Sequence, residues 1–228
     1  MSLPEADAQL VQIMDAALAD ATRRAGAWLA CRPGCTQCCH GAFAINALDS
    51  ARLRTGMDAL RAANPQLAAA VQHRAKSWLA TFSPAFPGDP ATGLLGTSDH
   101  EQALFEDFAD DAPCPALNPQ SGLCDVYEWR PMICRVFGPP TRIAQHHASD
   151  DAPGDFPGDS PSDPLACCEL CFVGASQAEI AACEMTVPRQ FEEQLVAETG
   201  HSGETVVAFA LLQSAHLKLS APFDRNAP

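Results

Sequence analysis

Cysteine is the residue in this chain most able to do chemistry, and it is gathered rather than scattered. Cys31, Cys35, Cys38 and Cys39 fall in "CRPGCTQCCHG" with the spacing C-x3-C-x2-C-C. Cys114, Cys124 and Cys134 follow in steps of ten. Cys167, Cys168 and Cys171 make C-C-x2-C, and Cys183 stands apart. The total of 11 is odd, so complete intramolecular pairing is impossible. The C-x2-C spacing at Cys35/Cys38 and at Cys168/Cys171 lets two thiolates converge on one soft cation, with Zn–S distances near ~2.3 Å. Two such pairs plus further cysteines point to zinc or an iron–sulfur cluster.

Other readings of clustered thiols fit less well. A thioredoxin-like pair belongs in a strand-to-helix turn of a βαβ fold, and strand signal is scarce here. A catalytic Cys–His pair has no local signature. The C-x3-C-x2-C spacing also matches the cluster motif of radical S-adenosylmethionine enzymes. Those enzymes use a β/α barrel and usually an aromatic before the third cysteine, where this chain has Gln37. Adjacent Cys38 and Cys39 are expected to diverge, which implies two centres, a polynuclear cluster, or one ligand beside a supporting thiol. His40 reads as a solvent-facing residue after the turn, with ligation the alternative, and His146 and His147 read as surface residues.

The elements that must position these thiols read as helical. Leu10, Ile13, Met14, Ala17, Leu18, Ala21 and Ala25 recur at helical spacing, which predicts a helix over 5–30 that Pro33 and Gly34 end. Asn46, with Asp49 three residues on, predicts a capped second helix carrying Leu48, Leu53, Met57 and Leu60. Asn64-Pro65 predicts a third, reaching about Phe82. Residues 83–100 read as a loop, and 101–110 as a short helix burying Leu104, Phe105 and Phe108. "NPQSG" predicts a hairpin between two short extended pieces, and Pro131 opens a short helix that Gly138 ends. The acidic, proline-spaced stretch 148–164 reads as a flexible excursion. Two or three helices close the chain, the last at about 203–218, carrying Val206, Val207, Phe209, Ala210, Leu211 and Leu212.

Composition narrows the class. A 228-residue chain with 47% hydrophobic residues can bury a core without disulfide staples. The N-terminus lacks a basic region and an unbroken apolar run, so no signal peptide is expected, and no stretch approaches the roughly 20 apolar residues of a membrane span. We therefore expect a cytoplasmic, bacterial-type protein in a reducing compartment. A net charge of −14 argues against nucleic-acid partners.

"CRPGCTQCCHG", "CPAL", "CDVYEWRPMICRVFG" and "CELCF" together resemble the YkgJ-type cysteine-cluster family, the CxxCxxCC group of zinc- or iron-chelating domains, over residues 31 to about 172. The resemblance implies metal-binding thiols at Cys31, Cys35, Cys38, Cys39, Cys114, Cys124 and Cys134, with Cys168 and Cys171 in a more variable downstream block. Cys167 and Cys183 match nothing in it. Flagellin lysine N-methylases are the members with an attached activity. This chain is shorter and shows no strand–glycine-turn–helix for S-adenosylmethionine. Arg130 and Arg135 flank Cys134 and could offset the net charge near −2 of a four-thiolate site, or pair with carboxylates such as Asp125 or Glu128. Tyr127 and Trp129 are expected to pack over the site.

The sequence thus predicts a mainly α, helical single domain with a small β-hairpin and an irregular cysteine-rich metal-binding centre. Residues 1–30 form an N-terminal helix, 31–172 the cysteine core, and 173–228 helices packed on it. The expected role is binding zinc or an iron–sulfur cluster. The alternatives are a cluster-dependent enzyme, methyltransferase-like or an oxidoreductase, acting on a protein, and a non-catalytic interaction or metal-handling module. No catalytic residue is assigned, and the oligomeric state is open.

Overall fold

The computed structural model describes residues 3–142 and 164–212. The predicted excursion at 148–164 lies outside them but for Pro164, as does the chain after Leu212. No described helix is long and apolar enough to cross a membrane. The described residues contain eight α-helices and three two-stranded antiparallel sheets, a mainly α fold. The described residues divide into two compact units: 3–5, 33–133 and 195–212 form unit 1, and 6–32 with 134–142 and 164–194 form unit 2.

Unit 1 is built on three helices: α2 (Ala47–Ala63), α3 (Pro65–Phe82) and α8 (Val207–Leu212). The Asn46 side chain accepts the Asp49 N–H at 3.0 Å, and Asn64 accepts the Leu67 N–H at 3.1 Å with Pro65 at the first helical position, so both predicted caps form. Ile45, Leu53, Met57, Val71, Ala210 and Leu211 share one apolar core, against which Cys114 and Cys124 pack. Asp49 joins a second anchor. Its carboxylate accepts the Met132 N–H at 2.8 Å and pairs with buried Arg52 at 2.6 Å. The segment after the cysteine hairpin is thereby tied to α2. Gly56 on α2 admits the Trp129 ring so closely that a Cβ there would lie 2.3 Å from the ring's Cγ.

A second apolar cluster in unit 1 joins Trp78, Phe86, Phe108 and Val206. The predicted loop at 83–100 holds a small hairpin, β2 (Gly88–Asp89) with β3 (Leu94–Leu95). The following helix, α4, runs Asp99–Glu106 with a full capping box between Ser98 and Glu101. It ends at Glu106, short of the expected 110, and Ala109 beyond it takes φ 55°. Phe108 is buried beyond its end, whereas Leu104 is 51% exposed, contrary to expectation. Val206 is not in the last helix: β6 (Thr205–Val206) pairs with β1 (Ala44–Ile45), and α8 starts one residue later.

Unit 2 carries α1 (Asp7–Ala25), which buries Leu10, Met14, Ala21 and Ala25. The helix predicted over 5–30 stops at Gly26, φ 52°, and continues only as a 3-10 turn, Gly26–Trp28. Strands β4 (Thr141–Arg142) and β5 (Leu165–Ala166) pair, followed by α6 (Gln177–Ala182). Arg24 donates to the carbonyls of Ala182 and Glu184 at 2.7 and 2.9 Å, holding α1 to the end of α6. Helices α5 (Met132–Val136) and α7 (Arg189–Glu198) carry the chain between units.

Candidate metal centre

The cysteines fall into two groups, one in each unit. Unit 1 holds Cys35, Cys38, Cys39, Cys114 and Cys124. Unit 2 holds Cys31, Cys134, Cys167, Cys168, Cys171 and Cys183. The motif that is continuous in sequence is therefore parted between Cys31 and Cys35.

In unit 1 the backbone brings three segments together. A 3-10 turn, Gln37–Cys39, ends with Cys39 N–H donating to the Thr36 carbonyl at 2.8 Å. An antiparallel strap follows: Cys114 N–H donates to Cys39 O at 2.7 Å, and Gly41 N–H to Ala112 O at 3.0 Å. The chain then reverses through "NPQSG". Asp125 N–H donates to Ala116 O at 2.8 Å and Asn118 N–H to Leu123 O at 2.8 Å, which returns Cys124 opposite Leu117. The predicted hairpin forms, pinned by the Asn118 side chain accepting the N–H groups of Gln120 and Ser121.

These thiols interact. Cys38 and Cys39 are neighbours in the Gln37–Cys39 turn, and a hydrogen bond with Cys39 acts on the Cys38 thiol. That bond, burial and the neighbouring thiol hold Cys38 well above the ordinary thiol range. Burial pushes Cys114 up to about 12, with Cys124 adding to the shift. Cys124 is raised by burial, with smaller contributions from Asp125 and Cys38.

Two arginines oppose this accumulation of negative charge. Arg130 is 8% exposed and lowers both Cys38 and Cys124. It donates to the Tyr127 carbonyl at 2.9 Å, and its guanidinium lies 3.9 Å from the Tyr127 ring centre. Tyr127 is 55% exposed, so it cradles Arg130 rather than sealing the thiols. Arg74, on α3, was not singled out in the sequence. It donates to the Pro115 carbonyl at 2.8 Å and pairs with Asp125 at 2.6 Å, bracing the residues next to Cys114 and Cys124, and it lowers Cys114. Nothing near Arg74 in sequence marks it, because its partners lie 41 and 51 residues away. Arg135 lies in unit 2, where it is 1% exposed and pairs with Asp15 at 2.8 Å. His40 is exposed, its Nδ1 3.0 Å from the Thr36 carbonyl oxygen. His146 and His147 lie outside the described residues. A cleft of about 340 Å³ opens beside Cys124, lined also by Gly56, Leu60, Asp125, Tyr127 and Trp129.

In unit 2, Cys31 Sγ lies 3.9 Å from Cys171 Sγ. Cys168, Cys171 and Cys183 are buried in one apolar cluster, with Cys167 at its margin. Cys134 sits on α5, partly buried. Among the described residues, no three histidine, cysteine, aspartate or glutamate side chains stand in a ready-made metal-holding arrangement. The donor set nonetheless fits a thiophilic cation: soft sulfur ligands, a backbone that converges on them, and guanidinium groups to balance thiolate charge.

Helices that carry irregular thiol-bearing segments, rather than a sheet with a nucleotide crevice, define a cysteine-rich chelating domain. A family model described as "Putative zinc- or iron-chelating domain" matches residues 30–150, more than half of the chain. The chain belongs to this CxxCxxCC family. No curated protein and no solved structure matches the chain.

Proposed function

We propose that unit 1 binds a thiophilic centre, zinc or an iron–sulfur cluster, through Cys38, Cys114 and Cys124, with Cys35 and Cys39 completing the ligand set. The observation that carries this reading is the backbone pairing that brings the thiol-bearing segments together, Cys114 N–H donating to Cys39 O at 2.7 Å and Cys124 returning opposite Leu117, with Arg130 and Arg74 beside them. Burial favours the neutral form of these thiols, so a cation that binds them displaces protons, and Arg130 and Arg74 offset the thiolate charge that results. Five thiols exceed the four that a closed tetrahedral site needs, which favours a metal-holding role over catalysis. Binding would join the strap, the hairpin and the Gln37–Cys39 turn, so its free energy becomes folding free energy for the region least supported by helix. The protein is, on this reading, a cytoplasmic metal-handling or interaction module.

The test is anaerobic purification followed by metal and acid-labile sulfide analysis with an absorption spectrum. Stoichiometric zinc without sulfide, or iron with sulfide, supports the reading and names the centre. Protein that carries neither and takes up neither on reconstitution refutes it. A second reading, an enzyme using the centre, draws on the cleft beside Cys124, whose size is at the lower end of small-molecule sites. It requires the absorption of the loaded centre to respond to small added ligands. A spectrum indifferent to them excludes it.

A further inference from the structure

Cys31 opens the cysteine motif, yet the fold pairs it with the far end of the chain. Ala30 N–H donates to Cys171 Sγ at 3.4 Å, and Phe172 N–H donates to the Trp28 carbonyl at 2.8 Å. Trp28 and Phe172 stack with ring centres 6.5 Å apart. These contacts register the segment around Cys31 against the Cys168–Cys171 turn. That turn is tight, since Cys171 N–H donates to Cys168 O at 2.8 Å. Cys168 N–H in turn donates to Gly138 O at 3.3 Å. Gly138, at φ 118°, passes so near Cys31 that a Cβ there would lie 2.9 Å from its Sγ.

The distance between Cys31 and Cys171 has a meaning. A disulfide needs S–S near ~2.0 Å. Two thiolates on one tetrahedral cation, each ~2.3 Å from it, lie ~3.8 Å apart. The sulfurs stand at 3.9 Å. The Ala30 N–H aimed at Cys171 Sγ fixes where that sulfur stands.

We propose a second site for a thiophilic divalent cation in unit 2, held by Cys31 and Cys171 and completed by Cys167 and Cys168 of the same turn. It shares no ligand with the group in unit 1, and Cys167, Cys168 and Cys171 lie outside the residues matched by the family model. The inference rests on the reading of this chain as a thiolate chelator but not on the unit 1 centre being the one occupied.

The test is titration of reduced, metal-free protein with Cd²⁺ under anaerobic conditions. Bound metal is counted directly, and sulfur-to-cadmium charge-transfer absorption is followed. Wild type should bind two equivalents. Cys31→Ser and Cys171→Ser should each bind one, as should Cys114→Ser, and Cys31→Ser/Cys114→Ser should bind none. Cys183→Ala, in the same apolar cluster, should keep two. Two equivalents retained by Cys31→Ser overturn the second site and leave the first standing, as does a single wild-type equivalent lost in Cys114→Ser but kept in Cys31→Ser. A single equivalent lost in Cys31→Ser but kept in Cys114→Ser supports the second site and overturns the first. No cadmium bound overturns both. Alkylation of the native wild type, which needs no variant to fold, should find the exposed Cys31 shielded by cadmium. Full labelling of Cys31 at saturation also overturns the proposal.

Discussion

Replacing Arg74 by alanine isolates the one brace of the unit 1 centre that lies outside the cysteine motif. Arg74 pairs with Asp125 at 2.6 Å, with the two side chains 23% and 8% exposed. Removing one partner of a fully buried pair costs ~3–5 kcal/mol, because the other charge is left without compensation. The cost here is smaller, since Arg74 is partly hydrated and Asp125 keeps the Asn118 amide at 3.2 Å. The bond from Arg74 to the Pro115 carbonyl is lost as well. A loss of ~2–3 kcal/mol follows, or a fall in Tm of about 4–12 °C for a chain of this size. Because Pro115 and Asp125 are the neighbours of Cys114 and Cys124, metal affinity should also fall ~10–100-fold, as for other outer supports of a metal site. Thermal unfolding of loaded protein and competition with a chelator measure the two effects. Asp125→Asn combined with Arg74→Ala should cost less than the sum of the single changes. The reasoning fails if Arg74→Ala shifts Tm by no more than about 2 °C, an exposed-pair effect, and leaves affinity unchanged.

Other perturbations probe the frame. Gly56→Ala should destabilise by ~1–3 kcal/mol in urea unfolding, since its Cβ would meet the Trp129 ring at 2.3 Å; wild-type stability would mean that Trp129 does not pack there. Ser98→Ala should cost ~1 kcal/mol by removing the α4 cap. Ser98 also holds the Glu101 carboxyl below the usual glutamate range. That contribution is whole above the ordinary glutamate pKa and is lost as pH falls through the lowered folded value, so the gap between Ser98→Ala and wild type should narrow in acid. Cys183→Ala should keep its metal and lose at most ~1 kcal/mol, as a small buried apolar side chain would; loss of metal would make Cys183 a ligand.

The helices were legible where local chemistry dictates them. Asn46, Asn64 and Pro65 announce their helix starts through side-chain caps and a fixed φ, and "NPQSG" announces its reversal. What the sequence concealed depends on distant partners. Leu104 follows the helical period but faces solvent, which no residue near it in sequence announces. The meeting of Cys39 with Cys114 comes from a backbone bond between distant segments, which the spacing of the cysteines does not encode. The division of the motif after Cys31 is set by Trp28 and Ala30 bonding to residues 140 and more positions away, which no spacing rule reveals. Arg74 and Asp49 brace the thiol segments across comparable separations.

The most direct measurement is X-ray absorption at the metal edge of anaerobically purified Cys31→Ser protein, in which the unit 1 centre alone remains, as such and with Cys114→Ser added. The account predicts a first shell of sulfur, at ~2.3 Å if the metal is zinc, that loses sulfur or disappears in the variant. A first shell of oxygen and nitrogen, or a sulfur shell unchanged by Cys114→Ser, would contradict it.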